Sequence, residues 1–247
     1  MPVSAQPGLA ISVRPYLPEI SPEPLGPSEV HVWLLDNCSS THTSTFRRIL
    51  SAEENERAAR FRFEPDREQY VQTRGSLRQL LGSYLGIPAA EVAFSYSEHG
   101  KPSLRPNQNL EFNVSHTKGM AVLGFCRRYR IGVDVERVRT DFQTSEIAER
   151  FFSEAERTAL RAIPVEHRHR MFFRIWTRKE AYIKALGEGL SHPLHQFDVS
   201  LDETACLMAT RPDPAEAQHW HLENLAVPEG FAAAMAIEMA GGLSGEN

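Results

Sequence analysis

Two short stretches of the chain carry the side chains with the clearest chemistry. Residues 176–184, Trp-Thr-Arg-Lys-Glu-Ala-Tyr-Ile-Lys, are predicted to form a helix in which one acid, Glu180, stands among bases. Residues 131–136, Ile-Gly-Val-Asp-Val-Glu, are predicted to form a short strand that carries Asp134 and Glu136. Three carboxylates and the two lysines of the helix are the groups needed to hold a divalent cation and a diphosphate.

The predicted strand places its two acids on one face. Side chains alternate between the faces of a strand, so Gly132, Asp134 and Glu136 point one way while the apolar residues between them point into the core. The two acids lie about 7 Å apart along the strand, so one small cation is within reach of both. Gly132 leaves room on that face for a close neighbour. The alternative is a half-solvated strand whose acids face water.

The predicted helix places its acid close to an apolar stripe. Trp176, Glu180 and Ile183 lie on adjoining parts of one helical face, which is an unusual place for an unpaired charge. Lys184 follows Glu180 by one turn, in the favourable orientation for an ion pair. The alternative is an ordinary surface pair that contributes a few tenths of a kcal/mol. That alternative weakens if Glu180 joins the strand acids, because Lys184 can then face a phosphate.

Further polar groups stand at predicted turns. Residues 112–116, Phe-Asn-Val-Ser-His, end a strand at a tight turn, where the hydroxyl of Ser115 and the imidazole of His116 can donate to an oxyanion. The alternative is a hairpin end with polar caps. Residues 100–102, Gly-Lys-Pro, form a turn with one base and are by themselves uninformative. The first-half helices carry several arginines, each of which is expected by default to lie on a solvated helix face. They are Arg57, Arg60, Arg62, Arg74 and Arg78.

The same order of elements occurs twice along the chain. Each half has a strand ending in an acid, at Asp36 and at Glu136. A capping box, in which a serine is followed three residues later by glutamate, opens a helix at Ser51 and at Ser153. A longer helix follows and is stopped by a glycine. Corresponding positions lie about 100 residues apart, which predicts a duplication and two similar lobes with a ligand cleft between them. The two long helices are predicted over residues 66–85 and 168–186.

Strand runs mixed with helices favour the α+β class over a parallel sheet. We expect two similar lobes in a pseudo-twofold arrangement, each a small antiparallel sheet packed with helices. Predicted strands cover residues 30–36, 110–115, 120–126, 131–136, 221–227 and 231–238. The expected divisions are a proline-rich N-terminal extension at 1–29, an N-terminal lobe at 30–128, a C-terminal lobe at 129–239 and a flexible tail at 240–247.

Composition narrows the class of protein. The chain has 247 residues and a net charge of −5, which argues against bulk affinity for nucleic acid or anionic lipid. Its three cysteines are far apart in sequence, so no disulfide framework or zinc site is predicted and a reducing cytoplasm is expected. No stretch approaches the roughly 18 apolar residues of a membrane span, and no secretory signal is visible. Seven of the 16 prolines fall within residues 1–29, which excludes a regular helix or a central strand there.

Taken together, the motifs resemble the Sfp-type 4′-phosphopantetheinyl transferases. That family's pattern runs Gly-Lys-Pro, Phe-Asn-[Ile/Val]-Ser-His, [Ile/Val]-Gly-[Ile/Val]-Asp-x-Glu and [Phe/Trp]-[Ser/Cys/Thr]-x-Lys-Glu-[Ala/Ser]-x-x-Lys. The four motifs stand here in that order, with suitable gaps, and the resemblance covers roughly residues 50 to 240. The proline-rich start lies outside the pattern, and the basic positions of the first half match it loosely.

The resemblance implies transfer of the phosphopantetheine arm of coenzyme A to a serine of an apo acyl or peptidyl carrier protein, with release of adenosine 3′,5′-bisphosphate. It implies a Mg²⁺ ion, with Mn²⁺ as the alternative, bound by Asp134, Glu136 and Glu180. Glu180 is the candidate general base, directly or through a water. Lys184 would lie on the diphosphate. The residues implied to hold the nucleotide and its 3′-phosphate are Lys101, Ser115, His116 and Arg57.

The expected partner is an acidic carrier protein that docks at the lobe junction, on the segment containing Arg137, Val138, Arg139 and Phe142. No nucleic acid or membrane partner is expected, and a monomer fits the two-lobed interpretation. Two alternatives stay open. One is a non-catalytic module that binds coenzyme A or a carrier protein, which the intact set of acids disfavours. The other is a metal-dependent phosphohydrolase, which lacks an obvious extra base to activate water.

Overall fold

A computed structural model describes residues 9–36, 42–97, 100–104, 108–141 and 143–239. Eleven strands are formed in these residues: β1 Ala10–Pro15, β2 Glu29–Asp36, β3 Phe94–Tyr96, β4 Pro102–Leu104, β5 Glu111–Thr117, β6 Met120–Cys126, β7 Ile131–Arg137, β8 Phe197–Val199, β9 Leu207–Thr210, β10 Trp220–Asn224 and β11 Phe231–Glu238. Six α-helices accompany them: α1 Thr43–Ile49, α2 Ala52–Ala59, α3 Glu64–Leu85, α4 Thr144–Phe151, α5 Glu154–Ala162 and α6 Val165–Leu186. The predicted α+β class is confirmed. Within the described residues, no helix is both long and apolar enough to cross a lipid bilayer.

The chain divides into two compact units. The first contains Met1–Glu111 and His116–Arg128, and the second contains Phe112–Ser115 and Tyr129–Asn247. The expected tail at 240–247 lies outside the described residues, so its flexibility stays a prediction.

A four-stranded sheet in the order β1-β2-β6-β5 belongs to the first part of the chain. The proline-rich N-terminus is more ordered than the sequence predicted, because Ala10–Pro15 forms a strand parallel to β2. Proline is compatible with such an edge strand, since one side of it needs no backbone donor. The segment after it is also anchored: the Tyr16 hydroxyl donates to Gln79 Oε1 at 2.7 Å, and Gln79 Nε2 donates to the Pro18 carbonyl at 2.6 Å.

The second unit contains a three-stranded antiparallel sheet in the order β10-β11-β7. Helix α6 supplies much of its core, including Phe172, Ile175 and Tyr182, which are almost fully buried. Aromatic contacts join α6 to neighbouring elements, for example the ring of Phe152 stacked on that of Phe172 at 5.2 Å. Burial of these large side chains stabilises the unit, since each contributes about 1.5–3 kcal/mol.

The helices repeat in order, as the spacing predicted. Both capping boxes form, at Ser51 with Glu54 and at Ser153 with Glu156. Both long helices have 22 residues and end at a glycine in the left-handed region, Gly86 with φ 67° and Gly187 with φ 82°. They begin two and three residues earlier than predicted, because a proline in the first turn or at the cap starts a helix without losing a hydrogen bond. The short helices α1 and α4 were not predicted.

The repeat extends to a buried ion pair in each unit. In the first, the capping-box Glu54 accepts from Arg78 Nε at 2.6 Å and from Arg74 Nε at 2.5 Å. In the second, the capping-box Glu156 pairs with Lys179 Nζ at 2.8 Å. Lys179 is fully buried and also donates to two backbone carbonyls, those of Leu194 and Phe197. Its ammonium therefore holds the loop after α6, and the interpretation that both lysines of 176–184 serve a ligand is wrong for this one.

Replacing Glu54 by glutamine is expected to lower the free energy of unfolding by about 1–3 kcal/mol at neutral pH, since two buried guanidinium groups lose their counter-charge. Burial alone would raise the pKa of Glu54, but the hydrogen bond from Arg78 and the charge of Arg74 outweigh it and hold this pKa below its ordinary value. The stabilisation is thus fully present above the unfolded-state pKa and is lost as pH falls through the lower folded-state pKa. Urea unfolding of both proteins across pH should show the gap narrowing in acid, and a gap that is constant with pH would contradict this assignment.

Candidate active site

Gly132 allows the strand that carries the acids to lie directly against helix α6. A Cβ atom at Gly132 would lie 2.0 Å from the carbonyl oxygen of Ala181 and 2.4 Å from the backbone nitrogen of Ala185. The face of β7 that carries Gly132 and Asp134 is therefore covered by the helix, and Asp134 is only 3% exposed. The prediction that Gly132 admits a close neighbour is correct, and the alternative of a half-solvated strand is excluded for Asp134.

Asp134 forms a compact polar network with Ser115 and Lys184. The ammonium of Lys184 lies 2.6 Å from Asp134 Oδ1 and 2.9 Å from the Ser115 hydroxyl oxygen. The Ser115 hydroxyl donates to the same Asp134 oxygen at 2.8 Å. Lys184 thus forms its short ion pair with the strand acid, whereas the helical spacing alone predicted a pair with Glu180. Its side chain remains 28% exposed, so the ammonium also reaches the surface of the network.

The second carboxylate oxygen of Asp134 is buried and accepts no hydrogen bond from the described residues. An unsatisfied buried carboxylate oxygen is costly, because it has lost its water without gaining a donor. Burial raises the pKa of Glu180, and the charge of Asp134 raises it further; Lys184 opposes this shift and Glu136 adds to it, so that the pKa reaches about 7. Three acids therefore interact around one lysine, and the group has a surplus of negative charge.

All three acids and Lys184 belong to the second unit. The three carboxylates are therefore assembled by β7 and α6 of a single unit, and the ligand cleft predicted between two lobes is not needed to bring them together. The close packing of β7 against α6 at Gly132 brings the strand acids and the helix acid near each other. The acids are carried on regular elements of one core, which fixes their directions better than loops do.

The donor set fits a hard divalent cation by type, since carboxylate oxygens are the ligands that Mg²⁺ and Mn²⁺ prefer. The orphaned oxygen of Asp134 supports that fit. Across the described part of the chain, however, no group of three or more His, Cys, Asp or Glu side chains is arranged so as to hold a metal ion. The ammonium of Lys184 instead neutralises Asp134. The residue types therefore fit a metal site. The side-chain arrangement does not yet do so, because the Lys184 ammonium pairs with Asp134.

The other predicted ligand-binding residues, Lys101, Arg57 and His116, belong to the first unit. Lys101 lies after Gly100, whose φ of 76° explains the glycine of the Gly-Lys-Pro turn. Its backbone nitrogen is held by the Ser97 hydroxyl at 3.1 Å. Arg57 is exposed, and its guanidinium lies 5.5 Å from the centre of the Tyr70 ring.

His116 is exposed at the end of β5 and lies beside a residue, Gln69, that the sequence did not single out. Gln69 Nε2 donates to the carbonyl of Thr117 at 2.7 Å and lies 3.5 Å from His116 Nδ1. Gln69 thus places its amide group beside the imidazole of His116. No pattern in the sequence pointed to Gln69, because its partners come from a distant strand.

Comparison with known proteins identifies the family of this chain. Residues 130–236 match the family model described as the 4′-phosphopantetheinyl transferase superfamily, and residues 37–126 match the model described as 4′-phosphopantetheinyl transferase, N-terminal.

The 4′-phosphopantetheinyl transferase HetI of Nostoc sp. (strain PCC 7120) is 34% identical over 216 residues, covering 85% of this chain and 87% of that protein. The 4′-phosphopantetheinyl transferase Sfp of Bacillus subtilis (strain 168) is 29% identical over 175 residues, covering 71% and 77%. A solved structure, the holo-(acyl-carrier-protein) synthase of Bacillus anthracis in complex with CoA (3′,5′-ADP), is 23% identical and covers 44% of this chain and 96% of that chain with a TM-score of 0.37.

The chain belongs to the 4′-phosphopantetheinyl transferase family. It is an enzyme of the Sfp type, which transfers the phosphopantetheine group of coenzyme A to carrier proteins. The resemblance found in the four motifs is confirmed.

Proposed function

We propose that this transferase uses Asp134, Glu136 and Glu180 to hold a Mg²⁺ ion, and that it transfers the phosphopantetheine arm to a serine hydroxyl with release of adenosine 3′,5′-bisphosphate. The observation that carries the proposal is the buried Asp134 carboxylate, whose Oδ2 has no donor among the described residues while a second acid beside it has a raised pKa. Both features are relieved by a cation. When bound, Mg²⁺ would neutralise charge on the diphosphate during transfer.

Lys184 is proposed to bind the diphosphate. Its ammonium pairs with Asp134, and more than a quarter of its side chain is exposed to solvent. Its stem is held by α6, so the ammonium can shift over a short distance without loss of the helix. An ammonium held close to the diphosphate stabilises the negative charge that gathers on the leaving phosphate in the transition state.

Glu180 is proposed to accept the proton of the carrier serine. Its carboxylate is partly buried beside Asp134, which makes it a better base than a fully solvated glutamate. The attack forms a bond from the serine oxygen to the β-phosphorus and breaks the bond to the bridging oxygen, so the leaving group keeps its electron pair.

The nucleotide is proposed to contact the basic groups of the first unit. The imidazole of His116 is exposed, Lys101 follows a fixed turn, and the guanidinium of Arg57 is exposed. Ser115 is proposed to contribute more to the acid network than to the nucleotide, since its hydroxyl is buried and donates to Asp134.

The carrier protein is proposed to dock on the segment that begins at the last residue of β7. Arg137 and Arg139 are exposed there, with the half-buried Val138 between them. Phe142, which belongs to the same prediction, lies outside the described residues. Acidic carriers would be attracted by the two guanidinium groups, one of which is held 3.2 Å from Asp141.

Reversing charge with Arg137→Glu and Arg139→Glu together is expected to raise the KM for an acidic carrier about tenfold and to leave kcat within about twofold, because rim charges act mainly on association. Initial rates at varied carrier concentration and at two salt concentrations measure this. The matched control is Arg60→Glu, an exposed arginine of the first unit outside the proposed docking segment. A fall in kcat with an unchanged KM would place these arginines elsewhere in the mechanism.

The transfer reaction is tested by incubating apo carrier proteins of several types with this protein, coenzyme A and Mg²⁺, followed by mass spectrometry of the carrier. A gain of the phosphopantetheine mass is expected, and chelation with EDTA should abolish it. An unmodified carrier that still binds would favour the non-catalytic module. Breakdown of coenzyme A without a carrier would favour the phosphohydrolase.

Assembly and compartment are part of the same proposal. We expect a monomer, which light scattering after size-exclusion chromatography measures directly. A cytoplasmic site of action is proposed because the exposed Cys206 is a free thiol.

A further inference from the structure

Strand β7 lies at the edge of its three-stranded sheet, and two side chains accept hydrogen bonds from its outer side. Along its other side β7 pairs with β11. At the open edge, the Val133 backbone nitrogen donates to Asn113 Oδ1 at 3.0 Å, and the Val135 nitrogen donates to the Ser115 hydroxyl oxygen at 3.3 Å. All of these atoms belong to the second unit, and both acceptor side chains are buried. Two side-chain acceptors on β5, at residues 113 and 115, thus bind two backbone N–H groups on β7, at residues 133 and 135.

The first unit closes the corresponding edge in a different way. There β2 takes the place of β7 in the repeat, and the parallel strand β1 runs along its outer side with a register of Ala10 opposite Glu29 through Pro15 opposite Leu34. A full backbone ladder therefore covers the edge. In the second unit the side chains of Asn113 and Ser115 supply the acceptors that a strand would supply.

These two bonds bracket Asp134. Its neighbours on both sides, Val133 and Val135, are fixed to β5 by their backbone nitrogens. An edge strand without such anchors can twist or slip, and a shift of one residue turns every side chain to the opposite face. Ser115 holds the Asp134 carboxylate as well, whereas the Asn113 amide oxygen accepts from the backbone of β7. Asn113 thus fixes the strand, and Ser115 links the strand to the acid network.

We propose that Asn113 is a positioning residue for the metal site: its amide oxygen fixes the edge of β7 so that the Asp134 carboxylate points to the cation. The inference rests on the proposed function, which makes Asp134 a metal ligand. Residues that orient metal ligands typically change metal affinity by 10- to 100-fold when they are replaced.

The test compares Asn113→Ala, which removes the acceptor, with Asn113→Ser, which offers a hydroxyl acceptor as Ser115 does two residues along the same strand. Binding of Mn²⁺ alone is measured by electron paramagnetic resonance, and exchange of the Val133 amide hydrogen is measured by NMR. For Asn113→Ala we expect Mn²⁺ affinity to fall about tenfold and Val133 exchange to accelerate about tenfold or more. Asn113→Ser should recover most of both, and the KM for the carrier should stay unchanged in each variant.

Asn55→Ala is the control for general loss of stability. Asn55 Nδ2 donates to three backbone carbonyls in the first unit, those of Arg47, Leu50 and Ser51. This variant should lose thermal stability while Mn²⁺ affinity stays as in the wild type. If it weakens Mn²⁺ binding as much as Asn113→Ala does, the effect is global and the positioning role is wrong.

The remaining outcomes are also decisive. A folded Asn113→Ala protein with wild-type Mn²⁺ affinity overturns the inference and leaves the proposed function intact. If Asn113→Ala does not fold, Asn113→Ser decides: wild-type affinity supports the role of the acceptor, and weakened binding or failure to fold overturns it. A wild-type protein that binds no Mn²⁺ overturns the proposed metal site, and the inference with it.

Discussion

Glu180→Gln is expected to fold normally and to lose at least about 100-fold in kcat. Glutamine keeps the size and one acceptor of the side chain but can neither carry a negative charge nor take a proton. Both properties are assigned to Glu180, and removal of one such group commonly costs two orders of magnitude or more. The fold should tolerate the change, because Glu180 is a destabilised acid: burial and the charge of Asp134 raise its pKa to about 7. Turnover is measured by the mass shift of the carrier, and folding by circular dichroism and thermal melting.

Glu166→Gln is the matched control for this experiment. Glu166 lies in the first turn of the same helix and is exposed, so its replacement should leave kcat within about twofold. A folded Glu180→Gln enzyme with turnover close to the wild type would remove Glu180 from the mechanism. It would then leave Asp134, with its orphaned oxygen, as the acid to be examined next.

Gly132→Ala is expected to prevent the second unit from folding, or to destabilise it by more than about 3 kcal/mol. The added methyl group would lie 2.0 Å from the Ala181 carbonyl oxygen and 2.4 Å from the Ala185 nitrogen. Overpacking a core with side chains on both sides costs about 1–3 kcal/mol, because side chains can turn away. Here the obstacle is helix backbone, so α6 itself must move away from β7. Soluble yield, circular dichroism and the midpoint of urea unfolding measure the effect.

Gly26→Ala provides the control for a glycine whose neighbour can yield. Its added Cβ would lie 3.1 Å from the flexible end of the Glu29 side chain, which can adopt another rotamer. We expect its stability to stay within about 1 kcal/mol of the wild type. A Gly132→Ala protein that melts at the wild-type temperature would show that the close approach of α6 to β7 is absent. The network of Asp134, Ser115 and Lys184 would then lose its structural basis.

The two substitutions change different properties of the site. Gly132 determines whether the strand acids can lie beneath the helix, and Glu180 determines whether the helix contributes an acid to them. Replacement of Glu180 is expected to abolish function and leave the fold intact, whereas replacement of Gly132 is expected to disrupt the fold. A protein in which both substitutions merely reduced stability would have its active site elsewhere.

The local sequence determined the repeated elements and the kinds of groups at the site. Ser51 and Ser153 each precede a glutamate by three residues, and the capping box that results depends only on that spacing. Gly86 and Gly187 end the long helices because a residue without a Cβ adopts positive φ without strain. The face shared by Gly132 and Asp134 followed from the alternation of side chains along a strand. These features are local, so one sequence is enough to predict them.

Tertiary packing decided which charges meet. Lys179 and Lys184 stand on the same helix, yet the first is enclosed with Glu156 and the second reaches Asp134. Their positions five residues apart point them in different directions, but only the elements packed on each side determine what they contact. Likewise, Asn113 and Gln69 gained their roles from partners that are distant in sequence or on another strand. The sequence by itself thus determined which acids and bases are available and where the helices and turns end. Burial, ion pairing and the hydrogen bonds at the edge of β7 depend on long-range contacts that no local pattern encodes.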